Sequence, residues 1–249
     1  MPNRFTLPLV FLPGSLCDER IFEHQKRHFE KANTVEIIRI KDQYSIWKMA
    51  EHVLATSPSK FILIGFSMGG IVALQIMRMA PERVLGLALL STNAWQSSVA
   101  QIQTREQQLA DVRAHGEKTL SKTISDLYPS GLDGQDKKQS LMHELIKDMA
   151  LNCGVETFCN HWSAINTRPD LSNMLDQIQC PTLVLFGEQD LLCASEKQQA
   201  MSQQIPNATL VSIDNCGHFC TLEEPALTTR SIENLITSIQ NTQKQPLLT

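Results

Sequence analysis

Several features of membrane, nucleic-acid-binding and disulfide-stabilised proteins are missing from this chain of 249 residues. No apolar run approaches the roughly 20 residues that span a bilayer, so we expect no membrane partner. No basic stripe accompanies the net charge of -4, which argues against nucleic acid as a partner. The seven cysteines are an odd number without the paired spacing of a zinc site or a disulfide framework. We therefore expect reduced thiols, no bound metal and a cytoplasmic location.

The N-terminal region also lacks a convincing export signal. Arg4 and the apolar stretch 7–12 superficially resemble a short signal peptide, but Pro8 and Pro13 interrupt the run. No small-residue cleavage site follows, so we expect this segment to remain as a strand of the folded protein. With 42% hydrophobic residues, a chain of this length can build one sizeable core.

The pentapeptide Gly65-Phe66-Ser67-Met68-Gly69 is the most informative motif that is present. It follows a short apolar run at 60–64 and opens a longer one at 70–77, which predicts a strand, a sharp turn and a helix. In that context G-x-S-x-G indicates a nucleophile elbow, in which the central serine is left exposed at the end of the strand. Ser67 as an ordinary helix N-cap would not need a glycine on both sides.

A serine hydroxyl is a poor nucleophile unless a base takes its proton, and a carboxylate usually orients that base. Asp190 follows the apolar run 181–186, and His218 follows the run 208–213, so the order is serine, acid, histidine. Glu188 is a competing acid two residues before Asp190. The alternatives are that His218 is an ordinary loop histidine and that Asp190 only caps the helix that follows.

These motifs together resemble the α/β-hydrolase superfamily, whose catalytic residues follow this chain order. The resemblance implies an α/β fold with a mostly parallel, doubly wound sheet and an inserted helical cap. It covers both halves of the chain but not the middle. The matching pieces are LVFLPG at residues 9 to 14, GFSMGG at 65 to 70, PTLVLFGEQD at 181 to 190 and NCGHF at 215 to 219.

The resemblance implies a role for each matching residue. Ser67 would be the nucleophile, His218 the general base and Asp190 the acid that orients it. The backbone N–H of Met68 and a second N–H from the loop after the first strand would form the oxyanion hole. Many relatives carry His-Gly in that loop where this chain has Pro13-Gly14, and Ser15 or Leu16 would supply the donor.

The hydrophobic periodicity predicts strands and helices that alternate over most of the chain, which indicates a parallel sheet covered on both faces. Between Asn93 and Asp176 the strand signal disappears, and four helical segments are predicted there. We therefore expect a core of residues 1–93 and 177–249 and a cap of residues 94–176. The predicted strands are 7–12, 35–40, 60–64, 84–90, 182–186 and 209–213. The predicted helices of the core are 21–31, 46–56, 69–79, 195–204 and 225–239, and those of the cap are 99–114, 117–127, 135–151 and 155–166.

We select candidate residues for a substrate pocket by their position in the chain, and nearly all of them are apolar. This composition favours an uncharged or hydrophobic acyl group at the reacting end. Arg105 and Arg113 fall on one face of a predicted cap helix, where they would either bind an anionic tail or be solvated. His161 and Trp162 are two further residues that could reach the pocket. The alternative for His161 is a surface position, which we expect for most other histidines of the chain. The candidate pocket residues are Leu16, Cys17, Phe66, Trp95, Leu191 and Phe219.

The sequence thus predicts a serine hydrolase that acts on a carboxylic ester, thioester or lactone of a small-molecule acyl substrate. No cofactor is required for this chemistry. The oligomeric state is not indicated. Two alternatives stay open because a fold does not fix a function. The chain would then be a lyase or cofactor-free haloperoxidase of the same fold, or a receptor that binds a small ligand without turnover.

Overall fold

The six strands of the described residues form a single parallel sheet, as predicted, in the order β2-β1-β3-β4-β5-β6. The computed structural model describes residues 7–127 and 137–244 of the chain. The strands are β1 (Leu9–Leu12), β2 (Val35–Ile37), β3 (Phe61–Phe66), β4 (Val84–Leu90), β5 (Thr182–Gly187) and β6 (Ala208–Ile213).

Helices connect successive strands along the chain, as parallel pairing requires, and the connection from β2 to β3 crosses over β1. Most helix bounds agree with the periodicity to within a few residues. The helices are α1 (Glu23–Phe29), α2 (Ile46–Thr56), α3 (Met68–Met79), α4 (Val99–His115), α5 (Glu117–Leu127), α6 (Lys137–Asn166), α7 (Ser195–Gln204), α8 (Cys220–Glu223) and α9 (Pro225–Lys244).

The sheet separates two layers of hydrophobic core because successive side chains of a strand point to opposite faces. In β3, Phe61 and Leu63 pack in the cluster that contains residues of α2, α3 and α7. Ile62 and Ile64 pack in the other cluster, with residues of α1 and α9. Both faces of the sheet are therefore covered, which explains the continuous apolar runs of the central strands.

The helices α4, α5 and α6 are inserted between β4 and β5 and form a cap with a small core of its own. Gly116, at φ 69°, separates α4 from α5. Gly154, at φ 82°, kinks α6. This kink falls between the two predicted cap segments 135–151 and 155–166, which are one interrupted helix. The loop predicted at 129–134 lies outside the described residues.

The largest departures from the predicted bounds are at the ends of the second strand and of the last helix. The second strand was expected at 35–40, but β2 ends at Ile37. This strand is at the edge of the sheet and has a single neighbour, so fewer ladder bonds are available to extend it. The last helix was expected at 225–239, but α9 continues to Lys244, and residues 245–249 lie outside the described residues.

No helix in the described ranges combines the length and the hydropathy that crossing a bilayer requires.

Candidate active site

The elbow at the end of β3 is held by close backbone contacts. Ser67 lies between β3 and α3 at φ 52° and ψ -116°, a strained conformation for a residue with a side chain. A Cβ atom on Gly69 would lie 2.1 Å from the carbonyl oxygen of Leu12, and one on Gly65 would lie 2.5 Å from that of Gly69. Only glycine fits at these two positions, because the strand and the helix approach too closely for any side chain.

The structure brings Ser67, His218 and Asp190 together from three loops at the carboxyl edge of the sheet. Ser67 Oγ lies 3.0 Å from His218 Nε2. His218 Nδ1 lies 2.9 Å from Asp190 Oδ2. The imidazole is almost fully buried, and the Asp190 side chain has no exposed surface. The three groups therefore form one continuous line of hydrogen bonds that is largely shielded from water.

The hydrogen-bond partners fix the tautomer of His218. An ionised carboxylate only accepts hydrogen bonds, so Nδ1 carries the proton that it donates to Asp190. Nε2 is then free to accept the hydroxyl proton of Ser67. The second carboxylate oxygen, Asp190 Oδ1, accepts the backbone N–H groups of Leu192 and Cys193 at 2.8 and 2.9 Å. These bonds satisfy the buried anion and stop the side chain from rotating away.

The loop that carries His218 is held by an acid that the sequence analysis missed. The Glu223 carboxylate accepts the backbone N–H groups of Gly217 and Phe219, at 2.6 and 2.9 Å, on either side of the histidine. A Cβ atom on Gly187 would lie 2.2 Å from the carbonyl of Cys216, so this glycine allows β5 to approach the same loop. In the sequence, Glu223 belongs to the short stretch Glu223-Glu224-Pro225. This stretch is typical of an ordinary helix start, so it does not indicate a contact with the histidine loop.

His161 is the second residue whose place the sequence did not reveal. The sequence left a pocket position and a surface position open, and the side chain is 2% exposed and lies beneath the loop after β1. Its Nδ1 accepts the Leu16 N–H at 3.1 Å, and its Nε2 lies 3.1 Å from the carbonyl oxygen of Ile40. Both bonds need the neutral imidazole with the proton on Nε2. His161 thereby ties the cap helix α6 to the loop beside Ser67.

Burial lowers the pKa of His161 from 6.5 to about 4, which predicts a pH dependence of folding stability. Between these values the unfolded chain binds a proton that the folded protein does not, so stability falls as the pH decreases from 6.5 towards 4. We expect the free energy of unfolding of the wild type to fall by roughly 2 kcal/mol more than that of His161→Asn between pH 7 and pH 4.5. Urea titrations at the two pH values measure this difference.

His115→Asn is the matched control for this comparison, because His115 is exposed near the end of α4. This control is expected to follow the wild type at both pH values. Other titrating groups are common to all three proteins and cancel in the comparison. A wild type and a His161→Asn variant with equal losses of stability would contradict the assignment.

The predicted pocket residues occupy different environments. Phe66 and Phe219 are buried against the imidazole, with ring centroids 5.2 and 5.4 Å from that of His218. The Leu16 side chain is buried in the core of the cap. Cys17 lines a cavity of about 240 Å³ together with Gly14 and His161, and Trp95 is partly buried beneath Lys197. The Leu191 side chain is 93% exposed, so in this conformation it is a surface residue and not part of an enclosed pocket.

One group of side chains in the described residues could reach a metal ion. Asp190, Cys193 and His218 place their possible ligand atoms within 4.8 Å of one another. The Asp190 carboxylate already accepts three hydrogen bonds, one of them from His218. Desolvation raises the pKa of the Cys193 thiol to about 12, so this group holds its proton at neutral pH and is a poor metal ligand. The arrangement is better suited to proton transfer than to metal binding.

Three features of the structure define the class of protein. They are a parallel sheet with helices on both faces, a strained serine after β3 and a helical cap before β5. The family model described as alpha/beta hydrolase fold matches residues 28–225. The chain belongs to this family.

Comparisons with individual proteins agree with the fold. The chain is 26% identical over 238 residues to pimeloyl-[acyl-carrier protein] methyl ester esterase of Nitrosospira multiformis, covering 90% of this chain and 82% of that protein. It superposes with a TM-score of 0.82 on a thermophilic esterase from Thermogutta terrifontis, at 24% identity and with coverage of 94% and 90%. The enol-lactonase from Burkholderia xenovorans LB400 gives the same TM-score at 20% identity, with coverage of 94% and 93%.

Proposed function

We propose that this protein is a serine hydrolase that cleaves a carboxylic ester, thioester or lactone through an acyl-enzyme intermediate. The observation that carries the proposal is the line from Ser67 Oγ through His218 to Asp190, with separations of 3.0 and 2.9 Å. These lengths suit the transfer of a proton from the serine to the imidazole. Names of relatives point to the same bond type, since they include a methyl ester esterase and an enol-lactonase.

The reaction would begin with attack of Ser67 Oγ on the substrate carbonyl carbon. His218 Nε2 takes the hydroxyl proton as the new C–O bond forms, and the Asp190 carboxylate stabilises the imidazolium. The imidazolium then gives this proton to the leaving oxygen or sulfur as its bond to the acyl carbon breaks. A water molecule attacks the acyl-enzyme and passes a proton to His218, which returns it to Ser67 as the carboxylic acid leaves.

Two backbone N–H groups would stabilise the oxyanion. Met68 is the first residue of α3, where N–H groups have no acceptor within the helix. Ser15 is favoured over Leu16 as the second donor, because the Leu16 N–H is already bonded to His161. The loop passes close to the nucleophile, since a Cβ atom on Gly14 would lie 3.2 Å from Ser67 Cβ. A donor of this kind contributes about 2.7 to 4 kcal/mol of transition-state stabilisation.

The cap would cover the site and shape the substrate pocket. Leu16 links the two parts, because its backbone belongs to the loop beside Ser67 and its side chain to the core of the cap. We assign residues 94–176 to the cap and residues 1–93 and 177–249 to the core. A closed cap excludes water and strengthens the electrostatic interactions within the site. The partner is a small acyl substrate, no cofactor takes part, and the cytoplasm is the proposed location.

A fluorophosphonate probe tests the proposal directly, since it phosphonylates only an activated serine. We expect one probe per chain, and peptide mass mapping should locate it at Ser67. A burst of p-nitrophenol from a short-chain ester should then show that the acyl-enzyme forms faster than it breaks down.

Other outcomes of these measurements would contradict the proposal. Labelling at Ser67 without turnover of a broad panel of esters, thioesters and lactones would favour a lyase or a receptor. Labelling at another serine would reject the assigned site. A protein denatured before exposure to the probe is the control, because it has lost the proton transfer from Ser67 to His218.

A further inference from the structure

Among the described residues, a buried guanidinium near the candidate active site has no hydrogen-bond partner. Arg168 lies in the segment that joins α6 to β5, and its residue surface is 8% exposed. Its Nε atom is buried without a hydrogen bond. Within residues 7–127 and 137–244, no hydrogen bond or ion pair reaches this side chain. A buried charge without a partner is costly, so a residue of this kind calls for an explanation.

A second arginine lies close to Arg168. Arg105, on α4, donates from Nη1 to Ser97 Oγ at 3.0 Å and to Asn166 Oδ1 at 3.2 Å, and both acceptors are neutral. Burial lowers the pKa of Arg105, and burial together with the charge of Arg105 lowers the pKa of Arg168 to about 10. The sequence placed Arg105 and Arg113 on one face of a cap helix, where they would either bind an anionic tail or be solvated. In the structure Arg113 is exposed, while Arg105 is partly buried near Arg168.

The acids around this pair are already engaged. Asp170 accepts the N–H and the hydroxyl of Ser172, at 2.9 and 2.5 Å, and lies near the positive charges of Lys197 and Arg168 without a hydrogen bond to either among the described residues. Asp190 is committed to His218 and to two backbone N–H groups. With three cations and two engaged carboxylates, the region has a local excess of positive charge.

This positive region adjoins the candidate active site through Cys193. The thiol lies within 4.8 Å of ligand-capable atoms of both Asp190 and His218. It is also near enough to Arg105 and Arg168 to interact with both charges. The region therefore lies at the base of the cap, on the same side of the candidate active site as Asp190.

We propose that Arg168 and Arg105 bind a carboxylate carried by the substrate, so that the preferred substrate is an acidic ester, such as the half-ester of a dicarboxylic acid. This proposal rests on the proposed function and names the substrate class. A guanidinium offers a planar pair of N–H donors that matches a carboxylate. A bound carboxylate would supply the partner that Arg168 lacks, and it would fix the acyl chain relative to Ser67.

The test compares p-nitrophenyl half-esters of succinate, glutarate and adipate with the p-nitrophenyl esters of neutral acyl chains of the same lengths. Hydrogen bonds to a charged group predict that one acidic ester exceeds its neutral counterpart in kcat/KM by about 10- to 100-fold. Arg168→Met should reduce this ratio to near one. Arg113→Met, on the exposed part of α4, should keep the wild-type ratio.

The wild-type ratios of kcat/KM between acidic and neutral esters test the carboxylate site even if Arg168→Met fails to fold. A ratio near one for all three chain lengths would overturn the proposal, as would a ratio that Arg168→Met leaves unchanged. Free glutarate and inorganic phosphate, tested by thermal shift, distinguish a separate anion site. If they stabilise the wild type but not Arg168→Met while no acidic ester is preferred, the arginines bind a free anion and the substrate proposal is wrong.

Failure of the proposed function gives a different pattern. In that case neither acidic nor neutral esters are hydrolysed and Ser67 is not labelled by the fluorophosphonate. Hydrolysis of the neutral esters with labelling at Ser67, but without any preference for acidic esters, would reject the carboxylate site alone.

Discussion

Replacing Ser67 with alanine should reduce ester hydrolysis by about 10,000- to 1,000,000-fold while leaving the protein folded. The substitution removes the only atom that would form the covalent bond to the acyl group. Alanine fits the space because the close contacts at the elbow involve Gly65 and Gly69, not the serine oxygen. The measurement is kcat/KM for a p-nitrophenyl ester, with circular dichroism and thermal unfolding as checks on the fold.

The double variant Ser67→Ala/His218→Ala makes this experiment more specific. Residues that transfer one proton act as a unit, so the loss in the double variant should be close to that of the worse single variant. His115→Ala, at an exposed position on α4, is the control for the loss of an imidazole and should retain wild-type activity. Losses that multiply in the double variant, or a Ser67→Ala protein with several per cent of wild-type activity, would contradict a shared role.

The positions of Ser67, Asp190 and His218 at one edge of the sheet could be predicted because each lies shortly after a predicted strand. The carboxyl ends of parallel strands lie at one edge of a sheet, so residues just beyond them converge there. The bounds of the helices α2, α5 and α7 were equally predictable, since periodicity and turn residues define them locally. For α2 the local signals are Ser45, which caps the start, and Ser57 before Pro58 at the end.

His161 and Arg168 could not be placed in the same way. Both belong to polar stretches of the cap, where a surface position is the ordinary expectation. His161 is buried because Leu16, 145 residues earlier, supplies the N–H that its Nδ1 accepts. Periodicity reports which face of a helix is apolar, but it does not report which distant backbone group will need a polar partner.

Glu223 shows the same limit near the end of the chain. Its carboxylate bonds to two N–H groups on either side of His218, yet the sequence shows only a pair of acids before a proline. The meeting of Ser67, Asp190 and His218 was thus predictable from their motifs and chain order. The side chains that hold its loops were not, because their contacts depend on the final approach of α6 and the loop after β6.

Replacing Asp190 with asparagine should lower kcat by about 10,000-fold, whereas Glu188→Gln should change it by less than about twofold. Asparagine keeps the shape of the side chain, but its amide can donate to His218 Nδ1. The imidazole then holds its proton on Nε2, where it can no longer accept one from Ser67. Stopped-flow measurement of p-nitrophenol release compares the two variants under identical conditions.

Glu188 is the matched control because it is the rival acid of the sequence and lies only two residues away. It is exposed, and its Oε1 accepts a hydrogen bond from Ser212 Oγ at 3.2 Å, away from His218. Asp190, by contrast, is buried and lies 2.9 Å from the imidazole. A large loss in Glu188→Gln with normal activity in Asp190→Asn would transfer the orienting role to Glu188. It would also require the loop after β5 to adopt a different conformation during turnover, since Glu188 lies outside the line from Ser67 to Asp190.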